Sequence, residues 1–411
     1  MKIKIQDIDI VIWALLLPIL IIDSINGMLY ENNIETPFSI SQVYKLGLVG
    51  LFLLRLLKTP KYLGIVFALF GYMILPSVVR WSKGMIDAKI IIQDLIFAFK
   101  YLIIVISFFY FKVVLSTLPR AEIPKYFIWI KLSYFVLAVN LSLKLVGLGY
   151  PMYLTGNIGS RGFFIAGNEI SALLIILSCI LGYYYWVVNK NVRLFVTYGV
   201  ISFFLGLLIS SKTGMLGIIL VYLLIIGSTT RFDLRSKKTV KRLLYILTVC
   251  LVFLGGIVLF VQNSAIMSRY LFFWHKMDFF TFMLSSRNIF LAEMLPIFES
   301  SYTTLEKWIG VGNTSFEELA NQKIEIDFLD ILFTYGYLGA LLFGVLLGVY
   351  YNKVLKLIKK KTSFVYAKLS LLCGFILVLL SCLSGHIFNS GIAGIFIGFV
   401  LSLAYYKKSD G

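Results

Sequence analysis

Residues 325–343 read EIDFLDILFTYGYLGALLF, and this stretch joins three carboxylates to a long apolar run. Lipid offers no hydrogen bonds to a peptide backbone, so a membrane-spanning helix needs about 20 mostly apolar residues. The apolar run over residues 328–351 has that length. The stretch therefore predicts a transmembrane helix with Glu325, Asp327 and Asp330 at its N-terminal end.

The rest of the chain repeats this pattern. Of the 411 residues, 60% are hydrophobic and 14% are charged, whereas soluble domains are about half apolar. Twelve segments are long and apolar enough to span a bilayer: 9–28, 39–57, 62–80, 93–115, 126–148, 168–188, 193–210, 212–229, 243–262, 328–351, 365–384 and 388–406. The sequence thus predicts an all-α, polytopic membrane protein with about 12 transmembrane helices and a single integral membrane domain over residues 1–411.

The formal net charge of +18 has a topological explanation. About two thirds of the loop Lys and Arg residues lie on the side of the predicted helices that carries both termini. By the positive-inside rule, both termini are predicted to be cytoplasmic. Because the basic residues lie between apolar blocks and not on one polar domain, nucleic-acid binding is not expected.

One connection is too long to be a simple link between helices. Residues 262–327 form a predicted external loop between transmembrane helices 9 and 10. Within it, residues 268–300 read SRYLFFWHKMDFFTFMLSSRNIFLAEMLPIFES, with apolar residues at helical spacing interrupted by charges. This pattern predicts one or two amphipathic helices lying at the outer membrane surface.

Three basic residues fall at the external ends of predicted helices or in the external loop, namely Arg161, Lys212 and Arg287. Two guanidinium groups can hold a phosphate or diphosphate through paired hydrogen bonds, and Lys212 would add a third positive charge. Asn168 begins the helix that follows Arg161, where free backbone N–H groups favour an anion. The alternative is that these side chains simply reach the lipid headgroups.

The carboxylates and one histidine lie on the same predicted face. Glu325, Asp327 and Asp330 either suit the dipole at a helix N-terminus or act on a substrate hydroxyl as general base. A divalent-metal site built from all three ranks below the general base, because no further oxygen-rich loop accompanies them. His386 is a candidate for substrate contact or a hydrogen-bonded structural residue. Carboxylates beside an arginine pair suggest group transfer from a phosphorylated donor to an alcohol.

Four blocks in fixed order give a resemblance to a known family. They are SRGFFIAGNEISALLIIL from residue 160, SSKTGMLGIILVYLLI from residue 210, SSRNIFLAEML from residue 285 leading to WIGVGNTSF, and EIDFLDILFTYGYLG from residue 325. With the twelve helices and the long external loop, the chain resembles the O-antigen ligase and O-antigen polymerase family over about residues 159–389.

The resemblance implies a metal-independent glycosyltransferase without a cofactor. A sugar hydroxyl would attack the anomeric carbon of a lipid-linked glycan, and undecaprenyl diphosphate would leave, held by Arg161 and Arg287. Ligases of the family usually carry a histidine followed by asparagine where this chain has Glu325. The acidic pattern here therefore looks like the branch that polymerises O-antigen, capsule or related polysaccharides.

In that branch the growing chain on its lipid carrier is the donor and one lipid-linked repeat unit is the acceptor. The implied location is the bacterial plasma (inner) membrane with the active site facing the periplasm or exterior, and the implied partners are the bilayer and a chain-length regulator. A ligase that moves finished glycan to another acceptor is the nearest alternative. A flippase or other transporter is more distant, because transporters place polar residues near mid-membrane.

Overall fold

The structure is a computed structural model that describes residues 5–34, 39–118, 122–154, 156–165, 167–229, 240, 244, 265–320, 324–360 and 364–407. Within these ranges the secondary structure is helical, and the β-type pairing consists of two isolated bridges in one loop, Tyr150 with Gly162 and Tyr153 with Ile158. The prediction of an all-α protein is confirmed.

Seventeen α-helices, numbered along the described part of the chain, make up the fold. They are α1 Ile5–Leu16, α2 Ile19–Glu31, α3 Ile40–Leu56, α4 Pro60–Ser82, α5 Ala88–Thr117, α6 Ile123–Ser142, α7 Asn168–Tyr183, α8 Val192–Ile209, α9 Lys212–Thr229, α10 Ala265–Lys276, α11 Phe279–Leu284, α12 Arg287–Ser301, α13 Thr304–Ile309, α14 Asn313–Ala320, α15 Asp327–Lys359, α16 Ala367–Ser381 and α17 Gly394–Ser402.

Seven helical segments in the described residues are long and apolar enough to cross a membrane. They are Pro60–Ser82, Ala88–Thr117, Ile123–Val146, Asn168–Val188, Val192–Ile209, Lys212–Thr229 and Asp327–Lys359. The number is eight if the bent pair Ile8–Leu16 and Ile19–Glu31 forms one span. A multi-pass membrane protein is therefore confirmed, whereas the expected count of twelve is not.

Three predicted spans are shorter in the structure than in the sequence analysis. Helix α3 has 17 residues and α16 has 15, while the last apolar helix covers Gly394–Tyr405. The chain between α16 and α17 leaves the helical path because the carboxylate of Asp327 binds three of its backbone N–H groups. The predicted span at 243–262 lies outside the described residues.

The chain divides into two compact units. The first unit comprises Met1–Leu16, Phe38–Lys125 and Phe280–Gly411, and the second comprises Leu17–Pro37 and Tyr126–Phe279. Five helices, α10 to α14, lie in the described part of the predicted loop at 262–327. Their placement at an outer membrane surface stays a prediction.

Helix α15 in the first unit is broken at Gly336, whose φ of 68° and ψ of −174° are not helical. Such a break frees carbonyl groups in the preceding turn. Each finds a donor: Phe333 O accepts from the Tyr302 hydroxyl at 3.1 Å, and Tyr335 O accepts from the Tyr72 hydroxyl at 2.7 Å. Thr334 O accepts from the N–H of Gly312 at 3.1 Å. The break thereby fastens residues 302–312 and helix α4 to the part of α15 that carries Asp327 and Asp330.

A second attachment holds helix α14 to helix α5. The buried Asp94 carboxylate of α5 accepts from the N–H of Thr314 at 2.7 Å, from the Thr314 hydroxyl at 2.7 Å and from the Ser77 hydroxyl at 2.5 Å. A carboxylate at the N-terminus of a helix satisfies free N–H groups and suits the helix dipole. The segment after Gly310 is therefore anchored at both of its neighbours, α15 and α5.

Candidate functional site

Arg287 begins helix α12 and is only 7% exposed. Its Nε donates to the backbone carbonyl of Glu325 at 2.7 Å, and its Nη2 donates to Oε2 of the same residue at 2.6 Å. Its Nη1 also donates to the carbonyl of Leu284 at 3.2 Å. The planar guanidinium therefore holds both the backbone and the side chain of Glu325, which a single ammonium could not do.

Glu325 lies just before helix α15 in a left-handed conformation, with φ at 60°. Its side chain remains 38% exposed although one oxygen is bound to Arg287. The imidazole of His386 and the guanidinium of Arg287 hold the pKa of this carboxyl below its ordinary value of 4.5, against the opposing effect of burial. Glu325 is thus an ionised carboxylate with one face open to solvent.

Asp327 is fully buried and binds backbone. Its Oδ1 accepts from the N–H of His386 at 2.7 Å, and its Oδ2 accepts from Ile387 at 3.1 Å and Phe388 at 3.0 Å. Three N–H groups on one carboxylate shape the turn that presents the His386 ring. The structure places Asp327 in a supporting position, with both oxygens occupied by backbone.

Asp330 is 2% exposed, and its Oδ1 accepts from the N–H of Ile324 at 3.2 Å. It therefore shapes the segment that carries Glu325. The divalent-metal alternative for the three carboxylates gains no support, because Asp327 and Asp330 bind backbone N–H groups. In the described ranges, no group of three or more His, Cys, Asp or Glu residues is arranged to hold a metal ion.

His386 faces Glu325 across a short gap. Its Nε2 lies 3.8 Å from Oε1 of Glu325, and its Nδ1 lies 3.3 Å from Oδ1 of Asn389. Gly385 permits this approach, since a Cβ at that position would lie 2.6 Å from the carbonyl carbon of Glu325. His386 also has a left-handed backbone, with φ at 67°.

The second unit contains the other predicted site residues. Arg161 forms an ion pair with Glu31, and its Nη1 donates to the carbonyl of Ile165 at 2.6 Å. Its guanidinium carbon also lies 5.8 Å from the ring centre of Tyr150. The guanidinium is thus fixed in orientation, with its side chain 15% exposed.

Lys212 and Asn168 each begin a helix of the second unit, α9 and α7 respectively. The residue two places before Lys212, Ser210, has a left-handed φ of 62°, which ends α8 and turns the chain into α9. The Oγ atoms of Ser211 and Ser171 are 2.7 Å apart, which joins the starts of the two helices.

The structure therefore brings Arg287, Glu325, Asp327, Asp330 and His386 together in the first unit, and it holds Arg161, Asn168 and Lys212 within the second. Arg161 and Arg287 each bind a carboxylate of their own unit. Their predicted role as diphosphate ligands stays a prediction. Glu31 was missed by the sequence analysis, since nothing in the local sequence pairs it with Arg161.

An apolar cavity of about 220 Å³ lies in the first unit against this site. Its walls come from α4, α5, α15, α16 and α17, and along α15 they extend from Ile331 to Tyr351. Phe388, which donates to Asp327, and Tyr101, which hydrogen-bonds Asn389, are wall residues. The cavity wall therefore includes residues that contact the supports of His386.

Comparison with known proteins gives no match to a family model and none to a curated protein sequence. The site's geometry, its burial and its charges carry the functional argument.

Proposed function

We propose that this chain is a membrane glycosyltransferase that polymerises a bacterial polysaccharide from lipid-linked repeat units. The observation that carries the proposal is the half-exposed pair of Glu325 and His386, which buried Arg287 and Asp327 support, beside an apolar cavity. Such a site can receive a polar sugar at one end and an apolar chain along its wall.

The cavity supports a lipid-linked substrate. Its walls are apolar side chains, and it lies among helices that are predicted to be surrounded by lipid. A hydrocarbon chain inside it stays in apolar surroundings similar to those of the bilayer. The polar end of the same molecule would then lie near Glu325 and His386.

The charged groups support transfer to a hydroxyl. The acceptor sugar oxygen would bond to the anomeric carbon of the donor as its hydroxyl proton passes to the Glu325 carboxylate. The bond between that carbon and the diphosphate oxygen would break, and its electron pair would leave with the diphosphate. Arg287 is proposed to stabilise the negative charge that develops on the leaving diphosphate. A fixed guanidinium suits that task because its orientation is set before the reaction.

The proposal extends to location and partners. The enzyme would lie in the bacterial plasma (inner) membrane with both termini cytoplasmic, as the loop charges predict. Its site would face the exterior or periplasm, where it would use undecaprenyl-diphosphate-linked repeat units and a separate chain-length regulator would set the product size.

The first test is gel separation of surface polysaccharide from cells that lack this protein. A single repeat unit in place of the long-chain ladder would support a polymerase. Intact long chains held on the lipid carrier would indicate a ligase, and lipid-linked units stranded on the cytoplasmic side would indicate a flippase.

Complementation with variants then tests the site. Glu325→Gln should give no long-chain ladder, while Glu318→Gln, an exposed glutamate on α14, should restore it. Arg287→Lys should also nearly abolish the ladder, because an ammonium cannot reproduce the two-point contacts of a guanidinium. Full ladders from Glu325→Gln and Arg287→Lys, at normal protein levels, would reject this site.

The cavity is tested by filling it. Leu342 lines the cavity, whereas its neighbour Leu341 is 63% exposed. Leu342→Trp should slow polymerisation by displacing the lipid chain, and Leu341→Trp should not. Equal activity of the two variants would remove the cavity from the proposal.

A further inference from the structure

Helix α15 turns back on itself at Gly336. The ring centres of Phe328 and Phe343, on either side of this glycine, lie 5.2 Å apart. At a rise of about 1.5 Å per residue, a continuous helix would put the two residues about 22 Å apart along its axis, too far for their rings to meet. The non-helical backbone of Gly336 lies between them. The first part of α15, residues 327–335, therefore folds toward the second part, residues 337–359.

Three apolar side chains share one face of this first part. Phe328, Ile331 and Tyr335 have the spacing i, i+3 and i+7, which places them in one stripe along a helix. Ile331 and Tyr335 line the apolar cavity. Phe328 is the next member of the stripe toward Glu325, which lies just before α15. The stripe therefore extends the cavity wall by one helical turn in the direction of Glu325.

The Phe328 ring belongs to a row of three rings that is held at both ends. Phe328 meets Phe343 edge to face, and Phe343 meets Phe388 in the same way with ring centres 5.3 Å apart. Phe343 and Phe388 line the cavity. Phe328 follows Asp327 in the chain, and the backbone N–H of Phe388 donates to Asp327 at 3.0 Å. Edge-to-face contacts favour one ring orientation, so the row joins the cavity wall to the start of α15 in a fixed arrangement.

The neighbouring core does not enclose the Phe328 ring. The next residue, Leu329, packs against the core cluster that contains Phe298 and Phe333. Phe328 instead contacts Phe343 and stays partly exposed. Binding sites for small molecules are lined mainly by apolar and aromatic side chains, with a few polar groups that fix orientation. The exposed part of this ring therefore offers apolar surface for a ligand close to the polar pair at the start of α15.

We propose that the ring of Phe328 binds the hydrocarbon carbons nearest to the diphosphate of the lipid-linked substrate. This inference rests on the proposed glycosyl transfer and names a residue that positions its substrate. The rest of the hydrocarbon chain lies along Phe343, Phe388 and the cavity wall. With its first carbons held against Phe328, the substrate keeps its diphosphate and its anomeric carbon beside Glu325.

The expected kinetic effect follows from the place of this contact. Binding energy from a non-reacting part of a substrate raises the rate when it orients the reacting end. A misplacement of about 1 Å at the reacting atoms can cost about 100-fold in rate. Loss of the Phe328 ring should therefore lower kcat as well as raise KM. A contact that only holds the chain would change KM alone.

The first experiment measures kcat and KM for polymerisation by the purified protein. The substrate is the lipid-linked repeat unit extracted from the deletion strain. Phe328→Ala should lower kcat by about 10- to 100-fold. Phe328→Leu keeps most of the apolar volume and should stay within about threefold of the wild type. The matched control is Phe375→Ala on α16, where the side chain is 52% exposed, and it should equal the wild type.

The second experiment detects the contact directly and needs no turnover. The photoreactive amino acid benzoylphenylalanine, which keeps an aromatic ring, is placed at position 328 or at position 375. On illumination, position 328 should capture the extracted lipid-linked unit in labelled form, and an excess of the unlabelled unit should suppress this capture. At position 375 the label should be captured weakly, and the excess should make no difference.

The outcomes separate this inference from the proposed function. Wild-type kcat for Phe328→Ala, whether or not KM rises, would overturn the positioning role and leave the polymerase intact. Capture at position 328 that the unlabelled unit does not suppress would overturn it also if Phe328→Ala fails to fold. Suppressible capture at position 328 by a wild-type background that never lengthens the units would support the binding site and reject the polymerase.

Discussion

Replacement of Gly336 by alanine tests whether the break in α15 is required by its neighbours. The backbone there has φ 68° and ψ −174°, a region that residues with a Cβ avoid, at a cost of about 1–3 kcal/mol. An added Cβ would also lie 2.6 Å from the nitrogen of Gly310 and closer still to the carbonyl oxygen of Trp308. Overpacking against backbone adds about 1–3 kcal/mol, so we expect a loss of about 3 kcal/mol or more.

The assay is thermal unfolding of the purified protein in detergent. At about 2 °C per kcal/mol for a large domain, the midpoint should fall by about 6 °C or more. Gly344→Ala, on the same helix, is the matched control, because an added Cβ there would meet nothing within 4 Å. Alanine favours a helix over glycine by up to about 1 kcal/mol, so Gly344→Ala should be neutral or stabilising.

Tyr72→Phe separates the hydrogen bonds from the steric effect. It removes the donor to the carbonyl of Tyr335 without adding volume, and it should cost about 1 kcal/mol. A midpoint for Gly336→Ala within about 2 °C of the wild type would refute the account of the break.

Three further changes follow from the contacts of the first unit. Asp327→Asn puts an amide where a carboxylate accepts three N–H groups, so unfolding free energy should fall by about 2–3 kcal/mol and the polysaccharide ladder should be lost. Gly398→Ala would place a Cβ 2.7 Å from a backbone nitrogen of α5 and should cost about 1–3 kcal/mol in thermal unfolding. Burial opposes ionisation of Glu306, but hydrogen bonds from Thr303 and the charge of Arg80 outweigh it and lower its pKa from 4.5. Its ionised form therefore stabilises the fold above pH 4.5. That stabilisation is lost as the pH falls through the lower pKa of the folded state. Glu306→Gln should therefore make the unfolding midpoint depend less on pH in the acid range.

Gly391→Ala, whose Cβ would meet nothing within 4 Å, should leave stability unchanged where Gly398→Ala lowers it. Wild-type stability of Asp327→Asn would show that its N–H partners find other acceptors. If the unfolding midpoint of Glu306→Gln falls as steeply with decreasing pH as that of the wild type, groups other than Glu306 cause the acid dependence.

Helix positions were predictable where long apolar runs set them. The predicted spans 126–148 and 168–188 correspond to Ile123–Val146 and Asn168–Val188. The break at Gly336 was not predictable, because glycine is common in transmembrane helices and its left-handed conformation here depends on contacts with Trp308 and Gly310. The last two apolar helices are shorter than predicted for the same reason, because Asp327 binds the backbone N–H groups of residues 386–388 and holds them in a turn.

The candidate site was predicted as a set of residue types and not as an arrangement. The carboxylates at the start of the helix were recognised from their spacing. That spacing does not show which of Glu325, Asp327 and Asp330 is exposed and which are buried. In the structure the two aspartates are buried against backbone N–H groups, and Glu325 is the one that stays half-exposed. His386 belongs to the site because it lies beside Glu325, which is 61 positions earlier in the chain.

The amino-acid sequence by itself determined that the protein is helical and embedded in a membrane. Lipid surrounds only segments whose backbone hydrogen bonds close within the segment, as in a helix. Apolar runs of sufficient length identify such helices directly from the sequence. Only the tertiary structure decided which carboxylate faces solvent and which ones hold the chain in place. That choice depends on Arg287, residues 324–330 and residues 385–389 meeting in space, and contacts across 38 to 61 positions of sequence leave no periodic pattern.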